Sequence, residues 1–377
     1  MMKIERCLLP YIQKELTETN KIVILYGARQ TGKTTLSNDI LDQIGGRILR
    51  VNADELRYTD ILSSRDQIKL SLFVKGYNLL FIDEAQRIPD IGINLKIIHD
   101  TIPGVRCFVT GSSSFELANK IHEPLTGRTS TYILFPISLT ELETRYNPVE
   151  LQSRLEEFMV YGMYPDIFNQ HSYEKKEKYL REMSGAYLFK DIFEISAIRN
   201  TGKLKDLLRA LAFQIGSEVS LNELGNSLGL SQETVHAYID LLEKTFIVFR
   251  LKGFSRNLRK EISKRDKIYF WDLGVRNTLI NNFSSFPYRN DIGPLWENFM
   301  IAERMKYLSY NQRFASSFFW RTYTGAELDY VEEYGGQLYA FEIKFKKAVK
   351  HAPKTWIENY SDHFTCITQD NFLEFLS

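Results

Sequence analysis

The chain has 377 residues, long enough for two or three domains, and is 44% hydrophobic and 25% charged, the composition of a globular protein with a sizeable core. Lys plus Arg number 48 against 47 Asp plus Glu, so overall charge selects no class of partner. No apolar run reaches the roughly 20 residues of a membrane span, the N-terminus lacks a signal-peptide pattern, and Cys7, Cys107 and Cys366 are widely spaced with no C-x-x-C pair, which points to free thiols in the cytoplasm and to no membrane partner.

Residues 21–26 are β-branched and apolar and predict a buried parallel strand. A complete G-x-x-x-x-G-K-[ST] loop follows, formed by Gly27, Ala28, Arg29, Gln30, Thr31, Gly32, Lys33 and Thr34. With Thr35 it opens a helix whose apolar stripe is Leu36, Ile40 and Leu41. Strand, loop and helix together make a nucleotide-phosphate cradle: the glycines turn backbone N–H groups inward at a helix N-terminus that favours anions. Lys33 is expected on the β- and γ-phosphates and Thr34 on Mg²⁺. Residues 78–84 predict a second buried strand ending in two acids, Asp83 for the metal and Glu84 for the attacking water. Residues 47–52 lie between these motifs in the chain and predict an inserted strand. ATP binding and hydrolysis are therefore expected.

Residues 105–110 predict a further strand, whose end offers Thr110 and Ser112 as γ-phosphate sensors; a plain Gly-Ser turn reads equally well. A fifth strand is expected over 130–135. Arg128, just before it, is read either as an arginine finger reaching a neighbouring subunit's nucleotide or as a surface ion-pair partner.

From 153 to 200 the pattern is helical and suggests a lid or linker. Over 204–270, helices capped by Ser220 and Ser231 precede two strands, 246–251 and 267–271, the pattern of a winged helix-turn-helix. Eight basic and two acidic residues between Arg250 and Lys267 suit phosphate contacts. Yet the would-be recognition helix shows Gln232, Glu233, His236 and Asp240, where a major-groove reader brings Arg or Lys. DNA and protein both remain candidate partners of this module.

Residues 324–334 and 337–345 alternate polar and apolar around Gly335-Gly336 and predict a tight hairpin. In that register Asp329 faces Glu342 and Glu327 faces Lys344, all on one side, while Leu328, Tyr330, Phe341 and Ile343 fill the other. Facing carboxylates want a cation, so Asp329 and Glu342 are candidate Mg²⁺ or Mn²⁺ ligands, with Glu297 from an upstream helix as a third and Lys344 placed to orient the attacking water and stabilise charge on a phosphate. The alternative is a sheet face of ordinary ion pairs, Glu327 with Lys344.

With these parts in hand, the chain resembles a prokaryotic group of AAA-superfamily ATPases in which a short ATPase core precedes a C-terminal region of unknown function. The likeness rests on residues 27–35, 81–86, 109–113, 127–128, 135–138, 267–272 and 327–344, and Ala28 stands where Pro is expected. It implies an α/β multidomain protein: a P-loop ASCE ATPase core over 1–145, a helical lid over 146–203, a winged helix-turn-helix over 204–270, and a PD-(D/E)xK nuclease-like α/β domain over 271–377. Two functional readings follow. In one, ATP hydrolysis drives a DNA-acting enzyme with an Mg²⁺-dependent nuclease site at Asp329, Glu342 and Lys344, DNA being held by the basic wing 250–267 and the C-terminal domain. In the other, the chain is an ATP-controlled switch that binds a protein or DNA partner, its nuclease-like domain inactive. A homo-oligomer is required where Arg128 acts in trans.

Overall fold

The computed structural model describes residues 3–111, 125–186, 200–256 and 265–377. Its N-terminal third is a parallel sheet of β1 (Ile22–Tyr26), β2 (Ile48–Asn52), β3 (Leu79–Asp83), β4 (Arg106–Gly111) and β5 (Thr129–Ile133), in the spatial order β2-β3-β4-β1-β5. The unbroken apolar runs of β1 and β3 arise because both faces are covered. Val23, Leu25 and Phe81 pack with α1 (Leu8–Glu18) and α2 (Lys33–Ile44). Ile22, Ile24 and Ile82 pack on the opposite side with α3 (Leu56–Leu62), α4 (Gln67–Phe73) and α5 (Ile91–Thr101). The segment expected as the inserted strand, 47–52, is instead the sheet edge; β4 lies between the loop-bearing β1 and the acidic β3. Chain order misleads here because parallel strands are joined by crossovers that skip neighbours.

Beyond the sheet come α6 (Leu139–Leu142), α7 (Pro148–Ser153), α8 (Leu155–Tyr161), α9 (Tyr173–Ala186), α10 (Thr201–Phe213), α11 (Leu221–Leu228) and α12 (Gln232–Lys244). Their starts are set locally. Ser138 with Glu141 and Asn147 with Glu150 form reciprocal capping boxes, and the hydroxyls of Ser220 and Ser231 accept the N–H groups of Glu223 and Thr234. Strands β6 (Glu218–Val219), β7 (Val248–Gly253) and β8 (Asp266–Phe270) form an antiparallel set beside α10 to α12.

The C-terminal segment contributes α13 (Leu273–Leu279), α14 (Ile292–Tyr310), β9 (Ser316–Arg321), β10 (Glu327–Tyr334), β11 (Gln337–Ile343), α15 (Lys354–Asn359) and β12 (Phe364–Ile367). Parallel pairing of Lys252 with Phe318 and Gly253 with Phe319 joins β7 to β9, giving one seven-stranded sheet, β12-β11-β10-β9-β7-β8-β6. The boundary expected at 270/271 thus falls within a continuous sheet, and a single core cluster runs from Ile137 to Leu376.

Gly335 (φ +60°) and Gly336 (φ +78°) make the hairpin turn, both in the left-handed region that a two-residue I′ loop needs. Tyr330 pairs with Phe341, the register that the alternation implies. One detail differs. The pairing of β10 with β9 shifts between Leu328 and Val331, a bulge that changes which face the side chains take. Leu328 therefore packs with Val331, Trp320 and Trp356 in one core, while Tyr330, Phe341 and Ile343 join another.

Candidate nucleotide site and carboxylate cluster

The loop between β1 and α2 is shaped by two contacts that only its own residues allow. A Cβ on Gly27 would lie 2.2 Å from the Leu134 carbonyl oxygen, so the strand can leave the sheet here only as glycine. The Thr31 hydroxyl donates to the Ala28 carbonyl at 2.9 Å, and Gly32 caps α2 at φ +94°. The Lys33 ammonium curls back over the loop and donates to the Gly27 and Ala28 carbonyls, both at 2.9 Å. The Thr34 hydroxyl donates to Asp83 Oδ2 at 3.0 Å. Thr110 at the end of β4 donates to the other Asp83 oxygen and accepts the Glu84 N–H at 3.2 Å. Glu84 sits in the left-handed region at φ +56°, and its carboxylate accepts from the Gln86 amide. Ser112, the second sensor candidate, lies outside the described residues.

A cavity of about 780 Å³ opens over the loop, lined by Arg29, Lys33, Thr34 and Glu84 together with Ile4 and Pro165. The Thr34 hydroxyl that lines it, the Asp83 carboxylate bonded to that hydroxyl and the loop ammonium alongside fit a magnesium ion and the phosphates it accompanies. Gln30 and Thr35 also line the cavity, and Tyr179 on α9, in the segment expected as a lid, donates to Gln30 Oε1 at 2.9 Å.

Arg6 was not legible as part of this site. Its buried guanidinium donates to the Thr31 carbonyl at 2.6 Å, to the Phe135 carbonyl at 2.7 Å and to Glu141 at 2.9 Å. No motif marks it, because its partners lie 25 to 304 residues away.

Arg128 stands elsewhere. Its carbonyl accepts the Ile22 N–H at the start of β1, whereas the phosphate loop leaves the far end of that strand, about 17 Å away for five residues of strand. Its guanidinium grips Asp100 at 2.8 and 3.1 Å, which lowers the Asp100 carboxyl to about 2. That distance takes Arg128 out of reach of a nucleotide on the chain's own loop.

On the C-terminal sheet, Asp329, Glu342 and Lys344 do converge. The Lys344 ammonium lies 3.1 Å from Asp329 and 2.7 Å from Glu342, and the Ile343 N–H donates to Asp329 at 2.8 Å. Burial and the nearby Asp329 raise the Glu342 carboxyl; burial works against the Lys344 charge, but Asp329 and Glu342 outweigh it and raise its pKa. Glu327 does not pair with Lys344. It opposes Arg321 across the β9–β10 ladder and lies 2.7 Å from the Lys267 ammonium.

Lys267, a wing cation by its place in the sequence, is 2% exposed and also 3.1 Å from Glu297. Glu297 accepts from the Tyr269 hydroxyl at 2.5 Å as well. Burial, against the pull of Lys267 and with the push of Asp329, raises the Glu297 carboxyl to about 7. The carboxylates expected to share a metal are thus divided between two ammonium groups, and among the described residues no group of three or more His, Cys, Asp and Glu side chains is placed to hold a metal ion. Two facing acids need a positive charge near them, and Lys344 and Lys267 stand at hydrogen-bonding distance from these carboxylates.

Two other wing cations are likewise engaged: Arg250 with Asp240 and Glu243, and Arg265 with Glu223. Asp240, expected on the reading face of α12, thus serves to hold the wing strand. No helix among the described residues is long and apolar enough to cross a membrane.

Residues 19–143 match the family described as AAA domain, which makes the N-terminal domain a P-loop domain of AAA type. Residues 152–285 and 292–364 match two families described as domains of unknown function (DUF8612 and DUF4143). An uncharacterized protein of Mycobacterium tuberculosis is 28% identical over 330 residues, covering 86% of this chain and 70% of the relative. One from Methanocaldococcus jannaschii is 27% identical over 303 residues, covering 75% and 66%. Among solved structures, a Walker-type ATPase of Pyrococcus abyssi superposes with a TM-score of 0.50 at 16% identity, covering 74% of this chain and 96% of that one; the likeness is one of fold.

Proposed function

With a AAA-type P-loop domain as the premise, we propose that this chain is an ATP-driven switch acting on DNA, whose C-terminal domain holds its partner rather than cutting it. The observation that carries the ATPase part is the junction of two distant motifs: Thr34 Oγ1 3.0 Å from Asp83 Oδ2, with Thr110 on the second oxygen. Thr34 and Asp83 are the residues to hold magnesium, directly or through water. Magnesium, when bound, neutralises charge on the β- and γ-phosphates. Lys33 exchanges the Gly27 and Ala28 carbonyls for phosphate oxygens. Glu84 exchanges Gln86 for the attacking water. ATP rather than GTP is proposed because the chain has no Asn-Lys-x-Asp guanine-reading motif.

The test is Mg²⁺-dependent phosphate release by the full chain. Glu84→Gln is expected to lower turnover by about 100-fold or more while nucleotide binding persists, and Lys33→Ala to weaken binding itself. Wild-type turnover in both variants would remove this reading.

The winged helix-turn-helix assignment over 204–270 is supported by the capped pair α11 and α12 and by the antiparallel β7–β8 ladder. The inactive nuclease-like reading of the C-terminal domain is supported by the buried Lys267 standing between Glu297 and Glu327. The nuclease reading keeps one observation in its favour, the convergence of Asp329, Glu342 and Lys344. Cleavage of DNA by wild-type protein with Mg²⁺ or Mn²⁺, lost in Asp329→Ala, would establish it over the switch.

A further inference from the structure

The chain carries a second basic run that the wing does not include. Residues 344–354 hold Lys344, Lys346, Lys347, Lys350, His351 and Lys354 with no acidic residue among them. Lys346, Lys347, Lys350 and His351 are exposed, and Lys346, Lys347 and Lys350 make no ion pair among the described residues. Of the wing cations among the described residues, Arg250, Arg265 and Lys267 are matched to carboxylates, while Lys252 and Arg256 are exposed and make no ion pair there.

This run has no regular structure, yet its backbone is pinned. The Lys344 N–H donates to the Ile367 carbonyl at 2.9 Å, the Phe345 carbonyl accepts from Gln369 at 3.2 Å, and the Val349 N–H meets Cys366 Sγ at 3.3 Å. The Phe345 ring is wedged between Trp296 and Phe286, and Ala352 is buried. The lysines therefore stand on a preordered support, and binding a polyanion costs little backbone entropy. At the far end, Arg256 lies over the Tyr360 ring at 5.4 Å, just after α15, and extends the positive surface toward β7.

We propose that residues 346–350, flanked by His351 and by Arg256 at the edge of the wing, form a surface that tracks the phosphodiester backbone of a nucleic acid; this rests on the reading of DNA as partner and puts the main contact on this run, outside the wing. Lysines act as point charges for phosphate. A row of them suits a uniformly charged chain better than an acidic peptide, whose recognition also needs side-chain pockets.

The experiment is binding of the full chain to a labelled single-stranded oligonucleotide and its duplex across a salt series. Lys346→Ala, Lys347→Ala and Lys350→Ala together are expected to flatten the slope of log K against log salt by about 2 to 3, with ATP turnover unchanged. The wing variant Lys252→Ala with Arg265→Ala should retain the wild-type slope. A wild-type slope in the triple variant with loss in the wing variant would overturn the surface while leaving DNA as partner. No binding of either oligonucleotide by wild-type protein at low salt, with or without ATP, would overturn both. Displacement by polyglutamate as effective as by unlabelled oligonucleotide would also overturn it, in favour of an acidic protein.

Discussion

The Tyr310 hydroxyl, in the last turn of α14, accepts the Phe135 N–H at 3.1 Å. The contact ties the C-terminal helix to the segment leaving β5, and the Arg6 guanidinium that holds the phosphate loop at Thr31 also reaches Tyr310, at 3.4 Å. Further back on the same helix, Glu303 accepts the Leu139 N–H at 2.6 Å, and Glu297 meets Lys267 near the carboxylate cluster. One helix thus spans about 20 Å between nucleotide loop and C-terminal sheet, the element that the proposed switch would use to couple its two ends.

Tyr310→Phe should leave the Phe135 N–H buried without its acceptor. The expected loss is about 1–3 kcal/mol of stability, read by urea unfolding with unchanged slope. An unchanged midpoint would mean that this joint contributes nothing to holding the two parts together.

How much of this was legible depended on the separation of the partners. Gly27 to Thr34 forms a contiguous motif whose chemistry is local, and Asp83 follows a strand that could only be buried. The Tyr330–Phe341 register followed from the Gly335-Gly336 turn and a two-residue period. Lys267 was misread because its partners Glu297 and Glu327 lie 30 and 60 residues on, and composition alone counts a buried lysine as surface charge. The β7–β9 pairing and the bulge at 328–331 escaped for the same reason: neither the strand pattern nor the turn chemistry encodes which edge meets which.

Thr110 holds both acids, donating to Asp83 and accepting the Glu84 N–H. Thr110→Val keeps the shape and removes the hydroxyl. Turnover should fall by about tenfold, the equivalent of one hydrogen bond in the transition state, with little change in the Kd for ATP. A fall in binding of the same size would make Thr110 a structural element of the pocket and not a positioning residue for the acids.

The Glu297 carboxyl gives a pH signature. Its folded value of about 7 exceeds the ordinary 4.5, chiefly through burial, so the folded state binds more protons than the unfolded state between those values. Its contribution to stability is full below about pH 4.5 and is lost as pH rises through 7. At about 1.4 kcal/mol per unit the loss is on the order of 3 kcal/mol. Denaturant midpoints of Glu297→Gln should lack this decline; an identical profile in variant and wild type would place Glu297 in an ordinary carboxylate environment.

Lys267 supplies the last test, because it decides whether lysine or metal neutralises the C-terminal acids. Lys267→Met removes the cation between Glu297 and Glu327 while keeping most of the side-chain volume, and at pH 8 it should cost about 3–5 kcal/mol, as for any buried pair broken on one side. Adding Glu297→Gln should recover part of that loss, since the uncompensated charge goes with it. Mn²⁺ added to the wild type should leave the Tm unchanged, whereas in Lys267→Met it should raise it, the ion entering where the ammonium stood. A rise in the wild type that is abolished by Asp329→Ala would reverse the assignment, since Asp329 would then hold a metal beside Lys344, as a cutting site requires.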